Sequence, residues 1–281
     1  MEATALSSSP DNAASSDEAA RAEFSGRLRA AAWRRRLLPV GAGLALIVIW
    51  QLGVSVFHIP PFIAPAPSAV AETLYDKAGM LLANLAPTAF EAFSGFLIGN
   101  ALAVLSATAF VHSRPTEEAF FPIAVMFHTI PVMAYAPILV LLLGNGLEAK
   151  VAIAALICFF PTLVNMTRGL RAVSAQQLEL MRILSASPTE VFFKLRLKSS
   201  LPYLFSALKI AAATSVIGAI VGEWIGATTG IGALIIQATY NFDSPLLYAT
   251  IVVGSLFSAA FFGAVSWLER VCITWNPAQT G

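Results

Sequence analysis

Long apolar runs separated by short polar links dominate the chain: Leu37 to Phe57, Thr88 to Val111, Ala119 to Leu143, Val151 to Met166, Leu201 to Ile225 and Leu246 to Trp267. A helix of about 20 apolar residues crosses a hydrocarbon core about 30 Å thick. The pattern therefore predicts an all-α, polytopic membrane protein with six transmembrane helices, spanning about 37–57, 88–111, 119–143, 151–166, 201–225 and 246–267. After the first run, Pro60, Pro61, Pro65 and Pro67 stop any helix. Ser68 then opens a short amphipathic surface helix, with Val70, Leu74, Leu81 and Leu82 apolar. One link is out of proportion: Arg171 to Pro202 is the longest polar interruption between apolar runs.

The runs are not uniform. Pro122, Pro131 and Pro137 fall in the third and Pro161 in the fourth. Each removes a backbone hydrogen bond that only packed neighbours can replace in lipid, so these helices are expected to be kinked and packed. Gly95, Gly99 and Ala103 in the second run, and Ala211, Ala213, Ser215, Gly218, Ala219 and Gly222 in the fifth, give faces on which helix backbones approach closely.

Composition agrees with the pattern, at 57% hydrophobic and 12% charged residues in 281. The net charge of +1 says nothing about nucleic acid, but the distribution of charge is informative. Of the 17 Lys and Arg residues, only Lys77 and Lys150 fall on one side of the predicted spans, and Lys209 lies within the fifth run. All the others share the opposite side, which the positive-inside rule makes cytoplasmic. Both termini are then cytoplasmic, and Lys209 is expected to extend its ammonium back toward the headgroups. Residues 1–36 read as a disordered cytoplasmic tail before an uncleaved first span, because the polar leader is too long for a cleaved signal peptide. Residues 37–270 read as the membrane domain, and 271–281 as a cytoplasmic C-terminal tail.

Candidate chemistry inside the spans is sparse. Glu91 lies near the outer start of the second run, His128 within the third and Glu223 near the outer end of the fifth. Glu223 reads either as an interfacial carboxylate at a helix end or as a pathway or gate residue. His128 reads as a packed, hydrogen-bonded interior residue, with a proton relay as the alternative. His58, His112 and His128 sit in separate segments without ligand spacing, and Cys158 and Cys272 have none either. No catalytic constellation, metal or cofactor is expected. The phosphate-cradling pattern is absent, Gly144 to Lys150 having the wrong order, so any ATPase must be a separate chain.

The long link carries two helix-start signatures, Ser174 with Gln177 and Ser187 with Glu190, and Pro188 sits at a first helical position. These predict helices over Ala175 to Leu184 and Pro188 to Leu197 with a sharp turn at Ser185 to Ser187. Leu178, Leu180, Met181, Ile183 and Leu184, then Val191, Phe192, Phe193 and Leu195, are more apolar surface than a lone hairpin keeps in water. Part must pack under the membrane domain and part is free to meet a partner.

This segment, ELMRILSAS from Glu179 to Ser187, then Val191-Phe192 and L-x-x-x-L-P at Leu197 to Pro202, resembles the "EAA" loop of binding-protein-dependent ABC transporter permeases. TIPVMAYAPILVLLLGNG (Thr129 to Gly146) and LKIAAATSVIGAIVGEWIGATTGIGALI (Leu208 to Ile235) resemble the family's flanking motifs, so the likeness covers about 37–270. The chain departs from the pattern at Leu180 and Met181, where the family has alanines, at Ser185, where it has glycine, and at Lys198, where it has proline. SLPYLFSALKIAAATSVIGAIVGEW and ATYNFDSPLLYATIVV are most similar to the nitrate/sulfonate/taurine branch, including importers of pyrimidine vitamin precursors. The resemblance implies the permease of a type I ABC importer in a bacterial inner membrane. It implies a coupling loop at 168–200 that seats in a cytoplasmic ABC ATPase subunit through Glu179, Arg182, Ser185, Ala186, Ser187, Pro188 and Phe192. It further implies an extracytoplasmic solute-binding protein and a permease homodimer in the lipid bilayer. The reading from another class is a self-sufficient secondary transporter or channel with a solvated loop.

Overall fold

The computed structural model describes residues 37–274. The tail expected over 1–36, with Arg34, Arg35 and Arg36, and most of that over 271–281 lie outside the described residues. The chain divides into two units. In the first, α1 (Leu37–Val56) is a 20-residue apolar helix. It closes at His58, a residue with φ of 49°.

The second unit, taken by itself, holds a bundle of helices. In chain order its helices are α3 (Ala78–His112), α4 (Arg114–Thr129), α5 (Val132–Leu143), α6 (Leu147–Arg171), α7 (Ala175–Ile183), α8 (Pro188–Glu223), α9 (Ile231–Tyr240) and α10 (Ser244–Cys272). They follow α2 (Pro67–Asp76), which starts on Pro67, the last of the helix-stopping prolines. Five helices, α1, α3, α6, α8 and α10, are long and apolar enough to cross a membrane.

The third predicted run is where sequence and structure differ most. It is two helices, α4 and α5, bent by 103° at Ile130 and Pro131. Pro131 has no N–H and forces the residue before it out of the helical region, so Ile130 is extended at φ −73° and ψ 125°. With α4 and α5 taken as one broken span, the candidate spans number six. The link after the fifth run also differs, because it contains the helix α9, buried on one face. The second predicted hairpin helix does not stop near Leu197. It runs on without a break into the fifth span, so that α8 is one helix of 36 residues, with a wider π turn at Val191–Arg196.

The centre of this unit is α6, packed between α3 and α8. Small residues set that spacing. Gly95 and Gly99 of α3 lie directly on Ala154 and Ala155, and a Cβ at Gly99 would overlap the Ala155 carbonyl. A Cβ on Gly218 of α8 would come within 2.7 Å of the Ala154 Cα. Polar pairs tie the same helices together: Thr162 Oγ1 donates to Asn100 Oδ1 at 2.5 Å and Cys158 Sγ to the Ala211 carbonyl at 3.3 Å. Lys209 does not extend toward headgroups; its ammonium lies 2.8 Å from Glu269 of α10, whose side chain is 4% exposed. A buried carboxylate within reach is a stronger attractor for an ammonium than a route out through lipid.

Candidate functional site

Three places in the second unit are candidates for function. The first is the hairpin of α7 and the start of α8. Ser174 Oγ accepts from the Gln177 N–H at 3.3 Å while Gln177 Oε1 accepts from the Ser174 N–H at 3.2 Å. Both halves of the predicted capping box are therefore formed. The helix ends in a Schellman turn, with the Ser185 N–H donating to the Arg182 carbonyl at 2.9 Å and the Ala186 N–H to the Met181 carbonyl at 3.0 Å. This places Ser185 at φ 52°. The left-handed turn for which the resembling family uses glycine is kept with a serine. Immediately afterwards Ser187 Oγ accepts from the Glu190 N–H at 3.3 Å and Glu190 Oε2 accepts from the Ser187 N–H at 3.0 Å.

Glu179, Arg182, Ser185, Ser187 and Pro188 are exposed and Ala186 is half-buried. Leu180, Ile183, Leu184 and Phe193 are also exposed, Ile183 by 74%. Phe192 points the other way. Its ring lies 5.1 Å from that of His112 and packs on the cluster of Ala103, Phe110, Leu163 and Met166. The π turn rolls Phe192 inward while leaving Phe193 out.

The second place is a cavity of about 990 Å³ between α3, α4, α5, α6 and α8. Phe110, Phe120, Phe127, Tyr135, Phe159 and Phe160 form much of its wall, and no Asp, Glu, Lys or Arg lines it. His128 is in this wall, not in the packed interior. Its ring stacks on Phe160 at 4.2 Å with 15° between planes. The break at Ile130 and Pro131 lies in the same wall, both residues lining the cavity.

The third place is a buried cluster where α8 ends. Glu223, the last residue of α8, is 1% exposed. Its Oε1 accepts from Thr88 Oγ1 at 2.6 Å and its Oε2 from the Gly232 N–H at 2.6 Å. Thr88 Oγ1 in turn accepts from the Ile231 N–H at 2.8 Å, and Asn84 Oδ1 from the Gly230 N–H at 2.9 Å. These side chains together satisfy the first amides of α9, donors that a helix start leaves without intrahelical partners. Gly230 stands at φ 117° directly against the Glu223 carboxyl, where a Cβ would overlap it. Beside it, Lys150 Nζ lies 3.0 Å from Glu91 Oε1, with side-chain exposures of 10% and 3%.

Glu91 and Glu223, which the sequence leaves far apart, are thus brought together, while His128 sits elsewhere. Lys150 belongs inside this cluster rather than in an outer link, and sequence reasoning missed it along with Thr88 and Asn84. The available signal was spacing: Asn84, Thr88 and Glu91 stand on one face of α3.

Comparison with known proteins places this architecture. Residues 99–272 match the family described as binding-protein-dependent transport system inner membrane component. A probable ABC transporter permease protein of Haemophilus influenzae is 34% identical over 232 residues, 83% of this chain and 94% of that one. The formylaminopyrimidine transport permease protein ThiX of Halalkalibacterium halodurans is 33% identical over 237 residues, 84% of this chain and 94% of that one. Among solved structures, an inward facing conformation of the MetNI methionine ABC transporter superposes with a TM-score of 0.57 at 20% identity. It covers 72% of this chain and 98% of the other, a likeness of fold. With six candidate spans, a capped loop before the fifth and a match over more than half its length, the chain belongs to the binding-protein-dependent transport system inner membrane components and is the permease subunit of an ABC importer.

Proposed function

We propose that the α7 hairpin and the first turns of α8 are the surface through which this permease receives movement from separate ATPase subunits, and that its cargo is an uncharged, planar heterocycle. The observation that carries the coupling role is the Schellman turn framed by two complete capping boxes, which keeps Leu180, Ile183, Leu184 and Phe193 exposed on a rigid frame. Such a surface binds a partner without first having to be ordered. Glu179, Arg182, Ser185, Ser187 and Pro188 belong to the docking side and Ala186 to the turn. Phe192 fastens the hairpin to the bundle.

In this reading the working unit is two copies of the chain in a bacterial inner membrane. Both termini and the hairpin face the cytoplasm, where two ATPase subunits hydrolyse ATP, and a solute-binding protein delivers cargo on the opposite side. Closure of the ATPases displaces the hairpin, and the spans that follow switch the pathway between outward and inward access. The cavity is the portion of that pathway held by one copy. Its wall has aromatic faces and no lysine or arginine, which favours a pyrimidine-like ring over a sulfonate, nitrate or bicarbonate that would need a counter-charge.

Reconstitution with the ATPase and binding protein in liposomes tests both parts. Glu179→Lys, or Pro188→Gly combined with Ser187→Ala, is expected to leave the chain inserted and ATP hydrolysis running while import is lost. Import at the wild-type rate by Glu179→Lys would overturn the coupling role. Uptake is expected to be competed by an aminopyrimidine and not by taurine, and the reverse order would overturn the cargo class.

A further inference from the structure

The cluster at the end of α8 contains more negative than positive charge. α3 contributes Glu91, α6 contributes Lys150 and α8 contributes Glu223; α9 presents only backbone at Ile231 and Gly232, and α10 approaches with Gly254. The two carboxyl groups lie close enough to act on each other, and Thr88, one turn before Glu91 on α3, donates to Glu223. Glu91 and Glu223 are 2% and 1% exposed. Two carboxylates and one ammonium would leave an unbalanced charge in the interior, where it is costly. There is a second, independent sign. Glu91 Oε2 is buried and has no protein donor, although buried carboxylate oxygens are normally satisfied.

One proton removes both difficulties. Placed between the two carboxyl groups, it supplies the missing donor and makes the cluster neutral. We propose that Glu91, Lys150 and Glu223 form a proton-binding site, in which a single proton shared by the two carboxyl groups holds the start of α9 against α3. With the proton bound, Glu223 accepts from Thr88 and Gly232 while remaining beside Glu91. When it leaves for solvent, two adjacent carboxylates repel, Glu223 is displaced from the Gly232 amide, and the Gly230 to Leu234 turn is released. This site is separate from the hairpin and the cavity, and it stands whether or not the roles proposed for those are correct.

The test uses the full-length chain in lipid nanodiscs. Infrared spectra at neutral pH are expected to contain a carboxylic-acid carbonyl band that disappears in both Glu91→Gln and Glu223→Gln, since each substitution leaves one carboxylate facing one ammonium. Absence of such a band in the wild type, as a water between two carboxylates would produce, overturns the proposal; so does its persistence in both variants. A measurement on the unaltered chain guards against variants that fail to insert. Hydrogen exchange at Ile231 and Gly232, corrected for intrinsic rates, is expected to show the opening constant rising about tenfold per pH unit once the proton is lost. Protection that stays flat with pH overturns the lock.

Discussion

At the Pro188 end of α8 a serine and a glutamate three residues apart close on each other in the open. At the Glu223 end a carboxylate reaches across to Thr88, 135 residues away in sequence, and to the start of the next helix. Both ends use one device, a side-chain oxygen accepting from a first-turn amide. The surroundings decide what the device does. In water a capping box trims a helix start and can be lost without collapse. In a buried site each oxygen is needed, because the amide it satisfies has no water to turn to. The exposed end is suited to being grasped and the buried end to holding.

The largest effect that separates the two ends is expected from Lys150→Met. Removing the ammonium paired with Glu91 strands a buried carboxylate and should cost about 3–5 kcal/mol in equilibrium unfolding in mixed micelles at neutral pH, and less in acid. A cost like that of a surface pair would show that water reaches the cluster. Ser187→Ala at the exposed end should cost about 1 kcal/mol, confined to hydrogen exchange of the first turn of α8, with global unfolding unmoved. A smaller effect belongs to Asp243, which caps α10 at the Leu246 amide and pairs with Lys77 at 2.9 Å. Partial burial pushes its carboxyl up, but the hydrogen bonds from Lys77 and Leu246 and the ammonium's charge outweigh it, so its pKa lies below the ordinary aspartate value. A lowered folded value means the contribution is present above the ordinary aspartate range and is lost as pH falls through it. Asp243→Asn should abolish that acid sensitivity in the exchange of the first turn of α10, and added salt should weaken it.

The contrast also explains what could be read from the sequence. Ser174 with Gln177 and Ser187 with Glu190 are local signals, and each box closes where it was expected. The apolar runs at α1, α3, α6, α8 and α10 are legible for the same reason, since length and hydropathy are properties of a single segment. What escaped detection depends on segments meeting. Lys150 reads as an outer cation until α6 brings it to Glu91, and Lys209 reads as snorkelling until α10 supplies Glu269. Pro131 was visible, yet hydropathy alone cannot distinguish a kinked span from one folded back by 103°. The continuity of α8 was hidden by its own polar start, where Lys194, Arg196 and Lys198 mark an end of the apolar run but not an end of the helix.

That continuity has a consequence for timing. At 1.5 Å per residue a helix of this length extends ~54 Å, from the hairpin to the cluster that pins α9, with no loop between them. A connection without slack has no stored intermediate position: what the hairpin does at one end, the Glu223 end must follow or resist at the same moment. Two elements interrupt its regular bonding, the π turn at Val191–Arg196 next to the exposed end and Pro202, which has no N–H to give. Any delay between the two ends must therefore arise between Val191 and Pro202 and not in the stretch from there to Glu223.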